Sequence, residues 1–330
     1  MGFVLGVEGD GSHSHAALTD ASGTLLGLGT NDDSSDWDDV GIAAAAAALR
    51  SCVTEALNAA QLNGAAVEAS VFALAGIDFP VDEQRLAGIP EAIGLGGRCR
   101  IVNDSFAALR AGTDEPFGVV VIAGNGSVVA GRNRKGDEYR SLGLGTLYGE
   151  FGSETDVSQS ALKAVAEAFT GRAPQTALTI LMCEAADVPS VVELLDGTAR
   201  GRIDTTQFCP LVFRAAAEGD AIAQALLAYA GEMLGTTAVH VVRTLEMERT
   251  AFDLVLARAM FDSGSSELVG AVKAHVRPVA PDARLNRLAV PPVVGSALMA
   301  LELAGHTPRQ DARSALTDGL ATALGTPVAE

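Results

Sequence analysis

Two short turns carry the residue pattern best suited to holding a ligand. Gly9-Asp10-Gly11-Ser12 and Gly124-Asn125-Gly126-Ser127 each follow an apolar run and lead into another. Glycine lets the backbone approach a ligand closely and adopt positive φ. Successive N–H groups in such a turn make an anion-binding concavity. Either turn alone reads as a plain hairpin; in matched positions the two read as a pair that cradles a polyphosphate. Neither is a Rossmann turn, because Gly9-Asp10-Gly11 runs from strand to strand and position 14 is Ser14. The phosphate-loop string G-x-x-x-x-G-K-[ST] does not occur.

A second group of residues could handle protons. Asn103-Asp104 ends an apolar stretch and precedes a helical one. In open α/β sheets that edge is where ligands bind, and a carboxylate there can accept a proton from a substrate hydroxyl. The plainer role for Asp104 is to cap the helix that follows. Leu74-Ala75-Gly76-Ile77-Asp78 ends another apolar run with small residues and an acid, and the Gly-dense stretch 141–153 contains Glu150. His13 and His15 stand two apart, on one face if the segment is a strand. The sequence offers them no evident third ligand, which argues against a zinc site.

These residues need elements to place them. Residues 3–7, 16–19 and 24–28 read as three strands joined by polar turns. Residues 36–39 supply caps for a long Ala-rich helix over 40–60. A buried strand over 70–75, a short helix over 81–93, a strand over 99–102 and a helix over 106–111 follow. At Phe117 the pattern restarts, with strands over 117–123, 128–131 and 138–142 around the second Gly-rich turn. The repetition of strand, Gly-rich turn, strand, polar turn and strand predicts an internal duplication. The remainder predicts helices over 154–169, 174–183, 205–217, 221–243 and 268–276, and short strands over 252–257 and 288–290. A last helix over 293–304 follows Pro291-Pro292, and the polar tail after Gly305 has weak helical character.

Composition narrows the partners. The chain has 330 residues, 41 acidic and 23 basic, for a formal charge of −18. That excludes a general nucleic-acid binder and argues against docking on an anionic membrane. No uninterrupted apolar run approaches a membrane span. The N-terminal stretch lacks a cationic lead and meets Glu8 and Asp10 too early for a secretion signal, so a cytoplasmic location is expected. Cys52, Cys99, Cys183 and Cys209 form no CxxC pair, so reduced thiols are expected.

Taken in order, the Gly-rich turn at 9–12, LAGID at 74–78, Asn103-Asp104, GNGS at 124–127, LGLGTLYGEFGS at 142–153 and PPVVGSALMAL at 291–301 resemble the N-acetylglucosamine kinase branch of the BadF/BcrA-type ATPases, within the sugar kinase, actin and heat-shock-chaperone superfamily. The resemblance spans about residues 3–304. It implies an α/β fold of two duplicated actin-like (ribonuclease H-like) domains around a central cleft. The first domain would cover 1–113, completed by the last helix at 293–304. The second would cover 114–292 with a helical insertion, leaving 305–330 as a tail. It implies ATP and Mg²⁺ as cofactors, an amino sugar as the other small-molecule substrate, and relatives that are often dimers.

Carried over residue by residue, the resemblance makes Asp104 the general base for the sugar 6-hydroxyl. Asn31, Ala75, Gly76, Asn103, Asn125, Gly143, Gly145 and Glu150 would lie around the sugar. Glu8, Gly9, Gly11, Ser12, Gly124, Asn125, Gly126 and Ser127 would lie near the phosphates, with Glu8 standing where the family's Asp positions Mg²⁺. Four departures bear on activity, one of them Asn125 where the family's second turn usually has Thr. Glu8 is one methylene longer than that Asp. Phe151 replaces an acid in the family's G-D-E-G-S string. Ala257 and Arg258 stand where the family has a G-G-V stretch against adenosine. Arg258 could stack on a base or pair with phosphate. The expected activity is ATP-dependent phosphorylation of N-acetylglucosamine, glucosamine or a related amino sugar. The rival is a homologue that binds sugar or nucleotide without turnover. A dehydratase-activating ATPase would need closely placed cysteines for an iron–sulfur cluster.

Overall fold

The computed structural model describes residues 2–309 and 311–324. The chain forms two units, one of residues 1–120, 134–136 and 288–330, the other of residues 121–133 and 137–287.

In the first unit, β1 (Phe3–Gly9), β2 (Ser14–Asp20) and β3 (Leu25–Asn31) form an antiparallel meander. Its register sets Glu8 opposite His15 and Asn31 opposite Ser14. After α1 (Trp37–Val40) and α2 (Ile42–Ala59), β4 (Val67–Leu74) pairs parallel to β1. Helices α3 (Pro80–Leu86) and α4 (Ile89–Ile93) lead to β5 (Arg98–Asn103), parallel to β4, and then to α5 (Asp104–Ala111). The strand order is β3-β2-β1-β4-β5. Side chains alternate across β1. Leu5 and Val7 pack with Leu49, Val53 and Ala56 of α2, while Val4 faces the opposite layer. Apart from Glu68, β4 is buried throughout, as expected of a strand covered on both faces.

The second unit repeats the plan. Here β6 (Gly118–Ala123), β7 (Ser127–Arg132) and β8 (Glu138–Arg140) precede α6 (Glu154–Phe169), α7 (Leu178–Ala185), α8 (Val191–Ala199), α9 (Cys209–Ala217) and α10 (Ala221–Thr244). The chain continues through β9 (Asp253–Ala257), α11 (Ala259–Asp262), α12 (Ser266–Val276) and β10 (Arg284–Arg287). The order β10-β9-β6-β7-β8 matches that of the first unit strand for strand, so the duplication read from the two turns is present as two sheets of one topology. By length and composition α10 could cross a membrane, but it packs against α9 and α12 and 44% of its apolar window is buried.

The chain then returns to the first unit through α13 (Val293–Ala304) and α14 (Ala312–Leu324). Val294, Ala297, Leu298 and Leu301 of α13 fill the layer over Val4, Ala69 and Val71, and Leu316 and Leu320 of α14 join it. Close approach depends on Gly295, where a Cβ would fall 1.9 Å from the Ala107 carbonyl oxygen. The tail is therefore helical over residues 312–324; residues 325–330 lie outside the described residues.

Three local expectations differ from what forms. The helix expected over 81–93 is two helices, because Gly88 and Pro90 interrupt it. The strand expected over 288–290 lies at Arg284–Arg287, a mostly exposed strand held by an Arg284–Asp253 ion pair; Leu288 and Val290 pack on the first unit's core instead. Helix α8 was not foreseen.

Candidate functional site

In the first unit the parallel register aligns the C-terminal ends of β1, β4 and β5. Gly9 lies opposite Leu74, and Leu74 opposite Asn103. Ala75 N–H donates to the Gly9 carbonyl at 2.9 Å, so Glu8–Gly9, Ala75–Gly76 and Asn103–Asp104 share one sheet edge. The Trp37 indole donates to the Gly76 carbonyl at 2.8 Å and fixes that turn. Asn31 sits at the end of β3, two strands from Gly9.

The plainer role considered for Asp104 falls to its neighbour. The Asn103 side chain accepts from Ser105 N–H at 3.1 Å and donates to the Ile77 carbonyl at 3.2 Å. Asn103 is the N-cap, and Asp104 is the first helical residue, partly exposed at the sheet edge. A carboxylate in a helix's first turn is favoured by the helix dipole.

The turn at 9–12 is built by its own side chains. Asp10 Oδ1 accepts from Ser12 N–H and Ser12 Oγ, both at 2.8 Å, and from His13 N–H at 3.0 Å. Gly9 is required by packing, since a Cβ there would meet Ser35 Oγ at 2.1 Å, whereas Gly11 faces open space. Nearby, burial together with the Asp39, Asp38 and Asp10 carboxylates holds the Asp36 carboxyl above its usual range, against a backbone hydrogen bond from Asp38.

Glu8 is the residue expected to position Mg²⁺. Its side chain is fully buried, with His15 Nδ1 at 3.5 Å and His13 Nε2 at 3.8 Å from Oε2. Magnesium favours an all-oxygen, largely hydrated octahedron. A carboxylate between two imidazoles does not fit that ion, so no step is assigned to a Glu8-bound Mg²⁺.

In the second unit, the turn at 124–127 joins β6 to β7 and meets the start of α6. Glu154 N–H donates to the Gly124 carbonyl at 2.7 Å, and Thr155 Oγ donates to the Asn125 carbonyl at 3.1 Å. Ser127 opens β7 and is buried. Ala257 ends β9, also buried, and Arg258 follows at φ 78°, ψ 172°. That region is essentially reserved for glycine. The backbone at Arg258 thus takes a glycine conformation although the side chain is arginine. A Cβ on Gly124 would lie 3.2 Å from Arg258 Cβ, so the stem of a cation packs on a turn that has none of its own.

The loop at 141–153 is braced internally. Glu150 Oε2 accepts from Leu144 N–H at 2.8 Å. Gly143 and Gly145 have φ of 74° and 81°. Asp156 gathers the loop: it accepts from Gly152 N–H and Ser153 N–H, each at 3.0 Å, and pairs with Thr146 Oγ. Sequence reasoning missed Asp156, although Ser153 followed three residues later by an acid is a capping-box signal. Phe151 packs on Tyr229 with ring centroids 5.0 Å apart.

Comparison with known proteins accords with this fold. A family profile, the BadF/BadG/BcrA/BcrD ATPase family, matches residues 5–300. An N-acetylmuramic acid/N-acetylglucosamine kinase of Clostridium acetobutylicum is 26% identical over 272 residues, 80% of this chain and 87% of that protein. An N-acetyl-D-glucosamine kinase of Dictyostelium discoideum is 27% identical over 317 residues, 91% of this chain and 98% of that protein. A solved structure from Chromobacterium violaceum, described as a candidate N-acetylglucosamine kinase, has a TM-score of 0.68 at 22% identity and covers 91% of this chain and 99% of its own. That last likeness concerns the fold.

Proposed function

The chain belongs to the BadF/BadG/BcrA/BcrD ATPase family, and on that premise we propose that it is an ATP-dependent sugar kinase acting on N-acetylglucosamine, glucosamine or a related amino sugar at the 6-hydroxyl. The observation that carries the reading is Asp104. It stands at the carboxyl edge of the first sheet, and the helix-capping work is done by Asn103. Asp104 accepts the proton as the sugar oxygen attacks the γ-phosphorus of MgATP. The new P–O bond forms, the bond to the β-phosphate oxygen breaks, and ADP leaves. Backbone N–H groups of the Gly-rich turns, with Arg258 beside Gly124, supply local positive potential that a chain of charge −18 otherwise lacks. Ala75, Gly76 and Asn31 on the first unit are residues assigned to sugar. The enzyme works in the cytosol on soluble small molecules.

Steady-state assays over a panel of hexoses and hexosamines with MgATP test this. Phosphorylation of an amino sugar is expected, with kcat lowered about 10²–10⁴-fold in Asp104→Asn and KM little changed. Absence of phosphorylation across the panel, or full activity in Asp104→Asn, removes the reading. The second reading, binding without turnover, is favoured by Arg258 in a glycine conformation and by Phe151 in place of an acid. Calorimetric binding of sugar or nucleotide with no ADP released would establish it.

A further inference from the structure

The strand register supplies what the spacing of His13 and His15 lacks, a third ligand from another strand. Glu8 on β1 lies directly across from His15 on β2, and His13 is two residues from His15. Cross-strand partners project to the same face of a sheet. The three side chains converge: one ligand atom from each lies within 4.8 Å of the others. Glu8 is fully buried, His15 is 20% exposed and His13 is 31% exposed, so the cluster is shielded on one side and open on the other.

The hydrogen bonds orient it. Ser12 Oγ has one proton, which it donates to Asp10 Oδ1 at 2.8 Å. It therefore accepts from His13 Nδ1–H, also at 2.8 Å, with Asp10 Oδ1 a further 3.2 Å neighbour of that nitrogen. In the neutral ring this leaves the lone pair on Nε2, the atom 3.8 Å from Glu8 Oε2. On the other side, His15 Nδ1 is buried without a hydrogen bond, 3.5 Å from the same oxygen. With both rings neutral, a cation between the nitrogen lone pairs and the Glu8 carboxylate turns these contacts into attractions; with a ring protonated, the same contact is an ion pair. Carboxylate-bearing partners on the far ring nitrogen are the usual support of a metal-bound histidine.

We propose that Glu8, His13 Nε2 and His15 Nδ1 bind one borderline divalent cation of the Zn²⁺ class, with water completing the coordination. Bonds of about 2.0–2.2 Å place neighbouring ligands roughly 3.3–3.6 Å apart in a tetrahedral site. The observed separations from Glu8 Oε2 reach that spacing with shifts of a few tenths of an ångström, and the three ligand atoms, within 4.8 Å of one another, draw together as the ion binds. Two imidazoles and one carboxylate with an open position suit zinc and its neighbours, and oxygen-seeking Mg²⁺ poorly. The bound ion fastens the turn at 9–12 to the edge of the sheet.

The test uses the full-length chain without a histidine tag, stripped by chelator, in the absence of ATP and sugar, so its result is independent of phosphoryl transfer. Titration with Co²⁺ is expected to give visible d–d absorption saturating at one equivalent, displaced by Zn²⁺ but not by millimolar Mg²⁺. His13→Ala and His15→Ala are each expected to weaken Zn²⁺ binding by more than the roughly 10–100-fold that loss of an outer partner costs, with His240→Ala unchanged. Circular dichroism of the apo variants checks folding. Should a variant misfold, the wild-type Co²⁺ protein decides, because paramagnetically shifted imidazole N–H resonances are expected from two histidines. No stoichiometric Co²⁺ absorption, unaltered affinity in both folded variants, or absence of the shifted resonances overturns the site.

Discussion

Arg258 is the residue at which strain and role meet. A side chain in a glycine-only region costs about 1–3 kcal/mol, and Arg258 sits there at φ 78°, ψ 172°. Glycine would release that strain while raising the entropy of the unfolded chain by an amount worth about 0.5–1 kcal/mol. Arg258→Gly is therefore expected to raise the urea midpoint at unchanged slope. A lower midpoint would show that interactions of the arginine side chain outweigh the strain. At this scale the placing of Asp104 at a strand end and of the glycines in turns was legible in the sequence, because strand ends, turn residues and acids have distinct local signatures. The Glu8–His13–His15 cluster was not. Its third member is contributed by the neighbouring strand, and pairing register is a non-local property that spacing along one segment does not encode. The strain at Arg258 was hidden for a related reason: arginine signals nothing about φ until the backbone around it is known.

Among the elements, the start of α10 shows how one side chain can join two helices. Asp220 caps α10 through Ala223 N–H at 2.8 Å, and its other oxygen takes Ala177 N–H at 2.7 Å and Thr176 Oγ at 2.9 Å at the start of α7. Burial alone raises the pKa of this carboxyl; hydrogen bonds from Ala223, Ala177, Thr176 and Ile222 outweigh it and hold the group below its ordinary value. Asp220→Ala is expected to destabilise the protein by about 0.5–2 kcal/mol at neutral pH, the usual worth of a cap. Because the folded-state pKa is depressed, this stability is fully present above the ordinary carboxylate range. It is lost as pH falls through the folded value. Urea unfolding of wild type and variant should therefore converge in acid, and a gap independent of pH would contradict the assignment. The long helices and buried strands could be read from sequence because their periodicity and apolar runs are strong. The break at Gly88 and Pro90, the onset of α8 and the placing of β10 were harder. Short elements are decided by what packs on them: Leu288 and Val290 look like a strand but pack as part of the first unit's core.

For the whole molecule, the duplicated topology was visible in the repeated turns, whereas the closing of the first unit by the last helix was expected only through the family resemblance, because it depends on contacts between distant segments. Removing residues 288–330 should leave β1 and β4 without the layer made by Val294, Ala297, Leu298 and Leu301. Losing several fully buried side chains at once is far beyond a single large-to-small change of about 2–5 kcal/mol. A chain ending at Arg287 is expected to lose cooperative unfolding of the first unit, visible as protease sensitivity within residues 1–120, while residues 137–287 stay resistant. Equal resistance of both units would show that α13 and α14 are dispensable. The same return of the chain reverses the order in which the protein can be completed on the ribosome. Domains generally fold from the N-terminus as they emerge, at about 5–20 residues per second. Here the first unit leaves the exit tunnel first, yet one face of its sheet is covered only by α5 until α13 is made. The later-synthesised unit has all its strands and helices before that moment. During translation the N-terminal sheet is thus the vulnerable half, its core layer incomplete for as long as the other half takes to be made.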